Sequence, residues 1–517
     1  MSHLAYRLTS PTLEPFPIIA NSTLPSRRRT KLKPSPSPVI HDRHACRPVW
    51  YTFSMIRSRM IFASILALAL SYVAPLPQAQ KDPSTAPTPP MGWNSWDAYG
   101  LTIDEADFKA NTTILAGIKQ FGWMYAVIDE GWYMGDPFGK SVADRKYLWD
   151  ANGNLIPVIS RFPSSANGAG FKPLADWVHA QGLKFGIHIV RGIPRDVVQQ
   201  NLPIAGAPFH AADAADINDK CPWDEGNFGV ADNAAGQAYY DGMLKLYAGW
   251  GLDYIKVDCI SDHPYRPTEI RQIAEAIRKT GRPIVLSLSP GPTKLENADY
   301  VAKYAQMWRI QDDHWDSWVF DKKPGDGEFP FATKDEFDRI AQWAPYVKPG
   351  NWPDPDMLPL GWLGPHPGWG DARQSRINMI EERTEFTLWS VSRSPMIFGG
   401  NLTKIDDYTR ALMTNKELLD INQNSIHSFP VPVAQKDGQP VDWRAWVAQV
   451  REPKKKTYIA VFNLSDDQGV WDIPWTSFQL SDKPHPVYDL FLRQPIPMAT
   501  SLHVSLPPHG SAVFRVE

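Results

Sequence analysis

Cysteine is nearly absent: Cys46, Cys221 and Cys259 are the only three among 517 residues. Three cannot build a disulfide network, although one bridge is open to an exported chain. No C-x-x-C spacing, H-E-x-x-H helix or EF-hand loop occurs, so the usual ligand patterns of zinc and calcium are missing. No metal and no cofactor is expected. The Gly-rich phosphate turn of a doubly wound nucleotide-binding sheet is also missing. Neither sign of charge dominates, with 53 Lys+Arg against 56 Asp+Glu and a net charge of −3. That excludes a nucleic-acid footprint and a strongly acidic field. There is no internal repeat. The apolar run at 60–74, MIFASILALALSYVA, is shorter than the roughly 20 residues a membrane helix needs.

What is present begins with that run. Arg57 and Arg59 precede it and a Pro/Gln/Ala stretch follows, so residues 55–80 read as a signal peptide, with an uncleaved anchor as the alternative. Residues 1–54 are rich in Pro, Ser and Arg without periodicity and are expected to be disordered, with translation starting at Met55 or Met60. The expected location is secreted or periplasmic. A linker follows at 81–88. The chain is long enough for a large barrel plus a smaller module. Its 21 tryptophans suit stacking on sugar faces, although large barrels also use Trp in their cores.

From residue 89 to 424, short apolar runs alternate with amphipathic segments. The runs at 92–96, 125–129, 185–190, 254–258, 284–289, 305–312, 346–347 and 395–398 read as strands. Between them, Ile270, Ile273, Ala274 and Ile277 make the i, i+3, i+4, i+7 stripe of a helix with one buried face. Gly251 and Gly281 stand where left-handed caps end helices. Eight such alternations predict a (β/α)8 TIM barrel; an open doubly wound sheet is the alternative. After about Gln423 the runs become short and β-like, at 445–450, 457–464, 487–491, 502–504 and 512–516. Residues 425–517 therefore read as a small C-terminal antiparallel β-sandwich domain.

Barrel active sites lie at the C-terminal strand ends. There the sequence gathers Trp96–Asp97, Asp129–Glu130, Lys256 with Asp258, Arg309 with Asp312–Asp313, and, after the seventh run, Asp354 and Asp356. Carboxylates in a Trp-lined cup suit glycoside hydrolysis, which needs one to attack or activate water and another to protonate the leaving oxygen. Lys256 lies two residues before Asp258, on the same strand face, where its ammonium would keep Asp258 ionised. Hydrophobic and carboxylate neighbours are expected to keep Asp313 protonated. A purely neutralising role for Lys256 and Arg309, and a hard-cation cage using Asp354 and Asp356, are the competing readings.

At these residues the chain resembles glycoside hydrolase family 27, the α-galactosidase/α-N-acetylgalactosaminidase family. The motifs run in order: MGWNSW at 91–96, IDEGW at 128–132, RFP at 161–163, GLKFGIH at 182–188, YIKVDC at 254–259, WRIQDDHWDSW at 308–318, WPDPDML at 352–358 and NKELLDINQ at 415–423. The resemblance implies Asp258 as nucleophile and Asp313 as acid/base. It implies sugar contacts from Trp96, Asp129, Glu130, Lys256, Arg309 and Met357, a retaining mechanism, and the C-terminal β-domain. It also makes a Cys221–Cys259 disulfide beside the site plausible, shifted by one residue from the family pattern.

Three further departures bear on the sugar. Glu130 replaces the usual second Asp, and its extra methylene crowds a hydroxymethyl at C6, favouring a pentose such as β-L-arabinopyranose. SLSPG at 287–291, with Ser289, replaces a bulky pair and leaves room for a 2-N-acetyl group. His188 and the RGIPR stretch at 191–195 stand where the family has a Tyr. The expectation is thus a retaining exo-glycosidase for terminal α-D-galactosyl residues, acting on a galactose-configured carbohydrate. β-L-Arabinopyranosidase and α-N-acetylgalactosaminidase are alternatives, and a non-catalytic sugar-binding protein is the reading from another class.

Overall fold

A computed structural model describes residues 81–516 apart from 139–140, 142–143, 323–328, 433–434, 437–438, 441 and 452–455. The expected disordered extension and signal peptide lie outside the described residues.

Eight parallel strands form one sheet: β1 (Met91–Asn94), β2 (Tyr125–Ile128), β3 (Lys184–Val190), β4 (Tyr254–Asp258), β5 (Val285–Leu288), β6 (Met307–Arg309), β7 (Trp352–Asp354) and β8 (Met396–Phe398). The hydrogen-bonded order is β7-β6-β5-β4-β3-β2-β1-β8. The ring closes beyond β7, where Leu358 pairs in parallel with Phe398. A helix follows each strand: α1 (Glu105–Ala116), α2 (Lys172–Ala180), α3 (Ala234–Trp250), α4 (Pro267–Thr280), α5 (Ala298–Tyr304), α6 (Thr333–Trp343), α7 (Met379–Ser392) and α8 (Asp407–Met413), with α9 (Lys416–Asn424) ending the series. This is the (β/α)8 barrel read from the alternating pattern.

Local chemistry sets the helix ends. Asn233 caps α3 by accepting from Gly236 N, and Gly251 (φ 97°) ends it in the left-handed region. Pro267 opens α4 and Gly281 (φ 69°) closes it, as the cap rules require. One strand differs from expectation. Tyr346–Val347 is not the seventh strand; Tyr346 ends a 3-10 turn, Ala344–Tyr346, with Pro345 as its second residue. The strand lies later, at Trp352-Pro353-Asp354. A fixed proline φ favours the first turn of a helix, which overrode the β-like Tyr-Val pair.

Strand alternation sorts side chains into two sets. Ile255 and Val257 join the large cluster shared with the helices. Tyr254 packs with Tyr125, Val127, Val285, Met307, Trp352 and Ile397 inside the ring. Lys256 and Asp258 share the inward face of Tyr254 by the two-residue period. One residue of the expected linker joins the core: Ala86 is buried and accepts from Trp352 Nε1 at 2.8 Å.

After α9 come β9 (Ser425–Pro430), β10 (Trp443–Val450), β11 (Lys456–Asn463), β12 (Gly469–Pro474), β13 (Val487–Asp489), β14 (Gln494–Ile496), β15 (Ser501–Leu506) and β16 (Ser511–Val516). One antiparallel sheet has the order β9-β10-β11-β16-β13-β14, and β12 pairs with β15. Alternation again decides the packing. Trp446, Ala448, Val450, Tyr458, Ala460, Phe462 and Val513 face the barrel cluster. Ala445, Val447, Ile459, Val461 and Phe514 pack with Ile473, Leu502 and Val504 of β12 and β15. Each fully buried Val, Leu, Ile or Phe side chain contributes about 1.5–3 kcal/mol. His509 stacks on Trp318 (centroids 4.2 Å apart) and Arg444 pairs with Asp338 at 2.9 Å, tying the sheet to the barrel.

Candidate active site

The strand ends open into a cavity of about 590 Å3 whose wall includes Trp96, Asp129, Glu130, Lys256, Asp258, Asp313 and Met357. All seven were expected site residues. The acids come from three strand ends: Asp129 follows β2 directly, Asp258 is the last residue of β4, and Asp313 lies four residues past β6. Register fixes the neighbours: His188 of β3 lies opposite Lys256 of β4, and Val190 opposite Asp258.

Asp258 is partly buried. His188 Nε2 lies 3.3 Å from its Oδ2, and the Cys259 N–H donates to its Oδ1 at 2.5 Å. Burial pushes the Asp258 carboxyl up. The His188 hydrogen bond, the His188 charge and Lys256 outweigh it and hold the group below its ordinary value. The direct partner of Lys256 is not Asp258 but Asp129, at 3.0 Å. Asp129 also accepts from Asn94 Nδ2 at 2.7 Å and from the Glu130 N–H at 2.8 Å. Against its own burial, Lys256, His188 and these donors bring Asp129 down to about 2. The expected Lys256–Asp258 pairing is thus a relay, with His188 touching the carboxylate instead. His188 itself is raised: burial opposes its charge, but Asp129 and Asp258 prevail. Its backbone carbonyl accepts from Trp132 Nε1 at 2.7 Å, and its Nε2 lies 4.0 Å from Asp129 Oδ1.

Across the cavity, Arg309 is shared. Its Nη2 lies 3.1 Å from Asp313 Oδ1 and 2.8 Å from Asp356 Oδ2. Asp313 is 37% exposed while Arg309 is 2% exposed. Of the hydrophobic and carboxylate neighbours expected for Asp313, the carboxylates of Asp312 and Asp356 are near, and the Arg309 guanidinium, not foreseen there, is its direct partner. Burial, with Asp313 and Asp354 nearby, raises Asp356 to about 7 despite Arg309. Asp354 is raised mainly by burial. Burial and then Asp356 also raise Asp97, which lines the cavity.

Ser289 is not among the described residues lining the cavity. It is buried, its N–H donates to Val257 O at 2.9 Å, and its carbonyl accepts from Ile260 N at 3.1 Å. Those bonds hold its backbone between the ends of β4 and β5. Arg191 of RGIPR is a brace rather than a rim contact: it donates to Cys259 O at 2.6 Å and pairs with Asp219 and Glu269.

The sequence reading missed part of the wall. Arg145, Trp223 and Asp224 line the cavity beside Glu130. Arg145 Nη1 is 3.5 Å from Glu130 and 3.8 Å from Asp224. Burial and the Asp224 charge raise Glu130 to about 8. The available signal was the disulfide. Cys221 and Cys259 are joined, with Cα atoms 5.9 Å apart, which brings Trp223 and Asp224 next to the strand carrying Asp258. Of the tryptophans, Trp96, Trp223 and Trp315 reach the cavity, whereas Trp93, Trp123, Trp132, Trp308, Trp343, Trp352, Trp389 and Trp475 serve the core.

Two family models match the chain: "Alpha galactosidase A" over residues 222–424 and "Alpha galactosidase C-terminal beta sandwich domain" over 441–516. The crystal structure of a family 27 β-L-arabinopyranosidase from Geobacillus stearothermophilus is 39% identical, covering 84% of this chain and 97% of that one, with a TM-score of 0.77. Alpha-galactosidase A of Cellvibrio japonicus is 27% identical over 459 residues, 85% of this chain and 94% of the relative. Alpha-N-acetylgalactosaminidase of Gallus gallus is 27% identical over 360 residues, 66% of this chain and 71% of the relative.

Proposed function

The chain belongs to glycoside hydrolase family 27, and from that premise we propose that it is a retaining exo-glycosidase removing terminal galactose-configured pyranosyl residues. In this reading Asp258 attacks the anomeric carbon while Asp313 gives its proton to the leaving oxygen. The glycosyl-enzyme ester is then hydrolysed by water, which Asp313 deprotonates. The observation that carries it is that both carboxylates line one cavity together with Trp96, a flat face for the sugar ring. His188 and Lys256 supply positive charge near the nucleophile, and Arg309 positions Asp313. The test is release of p-nitrophenol from p-nitrophenyl α-D-galactopyranoside and β-L-arabinopyranoside, with the product anomer followed by NMR. Net inversion, or no turnover of either glycoside, would reject it; the latter would leave a sugar-binding protein.

Glu130 favours the pentose as the better substrate. Its carboxyl lies in the wall and is backed by Arg145 and Asp224, so it has little freedom to retreat from a C6 hydroxymethyl. The arabinopyranosidase likeness at 39% identity points the same way. Glu130→Asp is expected to shift the galactoside-to-arabinoside ratio of kcat/KM about tenfold toward galactoside; an unchanged ratio removes the crowding argument. The Cys221–Cys259 bridge and the apolar segment at 60–74 support export, with the signal at 55–80, the barrel at 89–424 and the β-domain at 425–517.

A further inference from the structure

Beside the catalytic cavity lies a second one of about 580 Å3, and the two share Arg145 and Trp223 in their walls. We propose that this second cavity is a saccharide site holding the leaving-group sugars of the substrate, an inference that rests on the glycosidase reading above. Three segments build it: the stretch around Trp149, the Pro194–Arg195 end of the RGIPR turn with the helix Arg195–Gln199 that follows, and the loop after Cys221. Its wall combines the indoles of Trp149 and Trp223 with Arg195, Gln199 and Glu225. Flat aromatic faces take the C–H side of a pyranose, and planar polar groups take its hydroxyls. The polar groups are partly prearranged. Arg195 Nη1 lies 3.5 Å from the Glu225 carboxylate, and the Arg195 guanidinium covers the Phe228 ring at 5.3 Å.

Position favours the leaving group over an unconnected glycan. Trp223 is 40% exposed and packs on His263 with centroids 5.2 Å apart. His263 Nε2 in turn lies 3.7 Å from Asp312, the residue before the proposed acid. The dividing wall is therefore linked through His263 to the residue that precedes the proposed acid. The Cys221–Cys259 bridge anchors the same loop to the end of β4, so the two cavities are held in one frame.

The test compares raffinose, whose terminal galactose carries two further sugars, with p-nitrophenyl α-D-galactopyranoside on the full chain. Both place the same sugar over Asp258, so their ratio isolates the leaving-group side. In Trp149→Ala and Gln199→Ala, kcat/KM for raffinose is expected to fall about tenfold, through KM, with the aryl galactoside within about twofold of wild type. Gln199 is exposed at a helix end and guards against a Trp149 variant that fails to fold. Equal losses on both substrates, or none on raffinose, overturn the proposal. Isothermal titration of raffinose into the Asp258→Asn chain reads the site without turnover. A Kd unchanged by Gln199→Ala and Trp149→Phe also overturns it, even where the hydrolase reading holds. Failure of wild type on every aryl glycoside, with raffinose still bound at this cavity, instead sinks only the catalytic reading.

Discussion

On the wall made by β3 and β4, Asp258 touches an imidazole and the backbone, and Lys256 and Asp129 complete a closed set of alternating charges. On the wall made by β6 and β7, one guanidinium serves two carboxylates, and the outer one, Asp313, is more than a third exposed. The first arrangement holds a fixed negative charge. The second leaves a carboxyl in touch with solvent, as a group that gives up a proton and later takes one back requires. Two acids of the same chemistry can thus be assigned different tasks from what surrounds them.

The sharpest way to break this comparison is to neutralise each wall in turn. Asp258→Asn should reduce kcat on an aryl glycoside by about 10⁴-fold or more, since no ester can form; wild-type turnover in that variant would remove the nucleophile assignment. Asp313→Asn should cost less, about 10²–10⁴-fold, and least on substrates with acidic leaving groups, which depart without a proton. A uniform loss across leaving groups would place Asp313 elsewhere in the reaction.

His188→Gln should cost about tenfold in kcat, because a neutral donor replaces an imidazolium at the Asp258 carboxylate. It also carries a pH signature. The folded value of His188 is raised above 6.5, so its stabilising charge is fully present below about 6.5 and is lost as pH rises through the raised value. Wild type should therefore lose more Tm between acidic and alkaline buffers than His188→Gln does, and equal slopes would show that the ring is neutral throughout. The smallest expected effect on turnover is that of Cys221→Ser. It should lower stability by about 2–4 kcal/mol, measured by denaturant unfolding, with kcat for aryl glycosides within about threefold. A collapse of kcat at unchanged stability would mean that the bridge holds the Asp258 wall rather than the neighbouring loop.

How far the sequence reveals such a site depends on whether its residues lie on regular elements. Asp129, Lys256, Asp258, Arg309 and Asp313 were legible because each stands at or just past an apolar run that reads as a parallel strand. The wall formed by Arg145, Trp223 and Asp224 was not. Those residues come from loops, where no periodicity marks direction, and the Arg145–Asp224 contact spans 79 positions of chain. His188 was singled out among the departures that bear on the sugar, but the charge beside Asp258 was given to Lys256 alone. Register explains the exchange: Lys256 and His188 are cross-strand partners, and only the paired sheet shows that the lysine reaches sideways to Asp129. In the C-terminal region the strands at 425–430 and 469–474 escaped notice, each ending in a proline that reads as punctuation.

The way the ring closes bears on how the molecule breathes. Between Asp354 and Leu358 the chain leaves the β7 ladder, with Asp356 at φ 91°. The two ends of the sheet are then stitched by Leu358 N to Ile397 O and Gly399 N to Leu358 O, at 2.8 and 3.0 Å. That seam is the thinnest weld in the cylinder, and it begins two residues past Asp356, the partner of Arg309. Amide protons of Leu358 and Gly399 should therefore exchange before those of β3 and β4. Slow opening of the cylinder would begin on the proton-trading side and spare the side that keeps its charge.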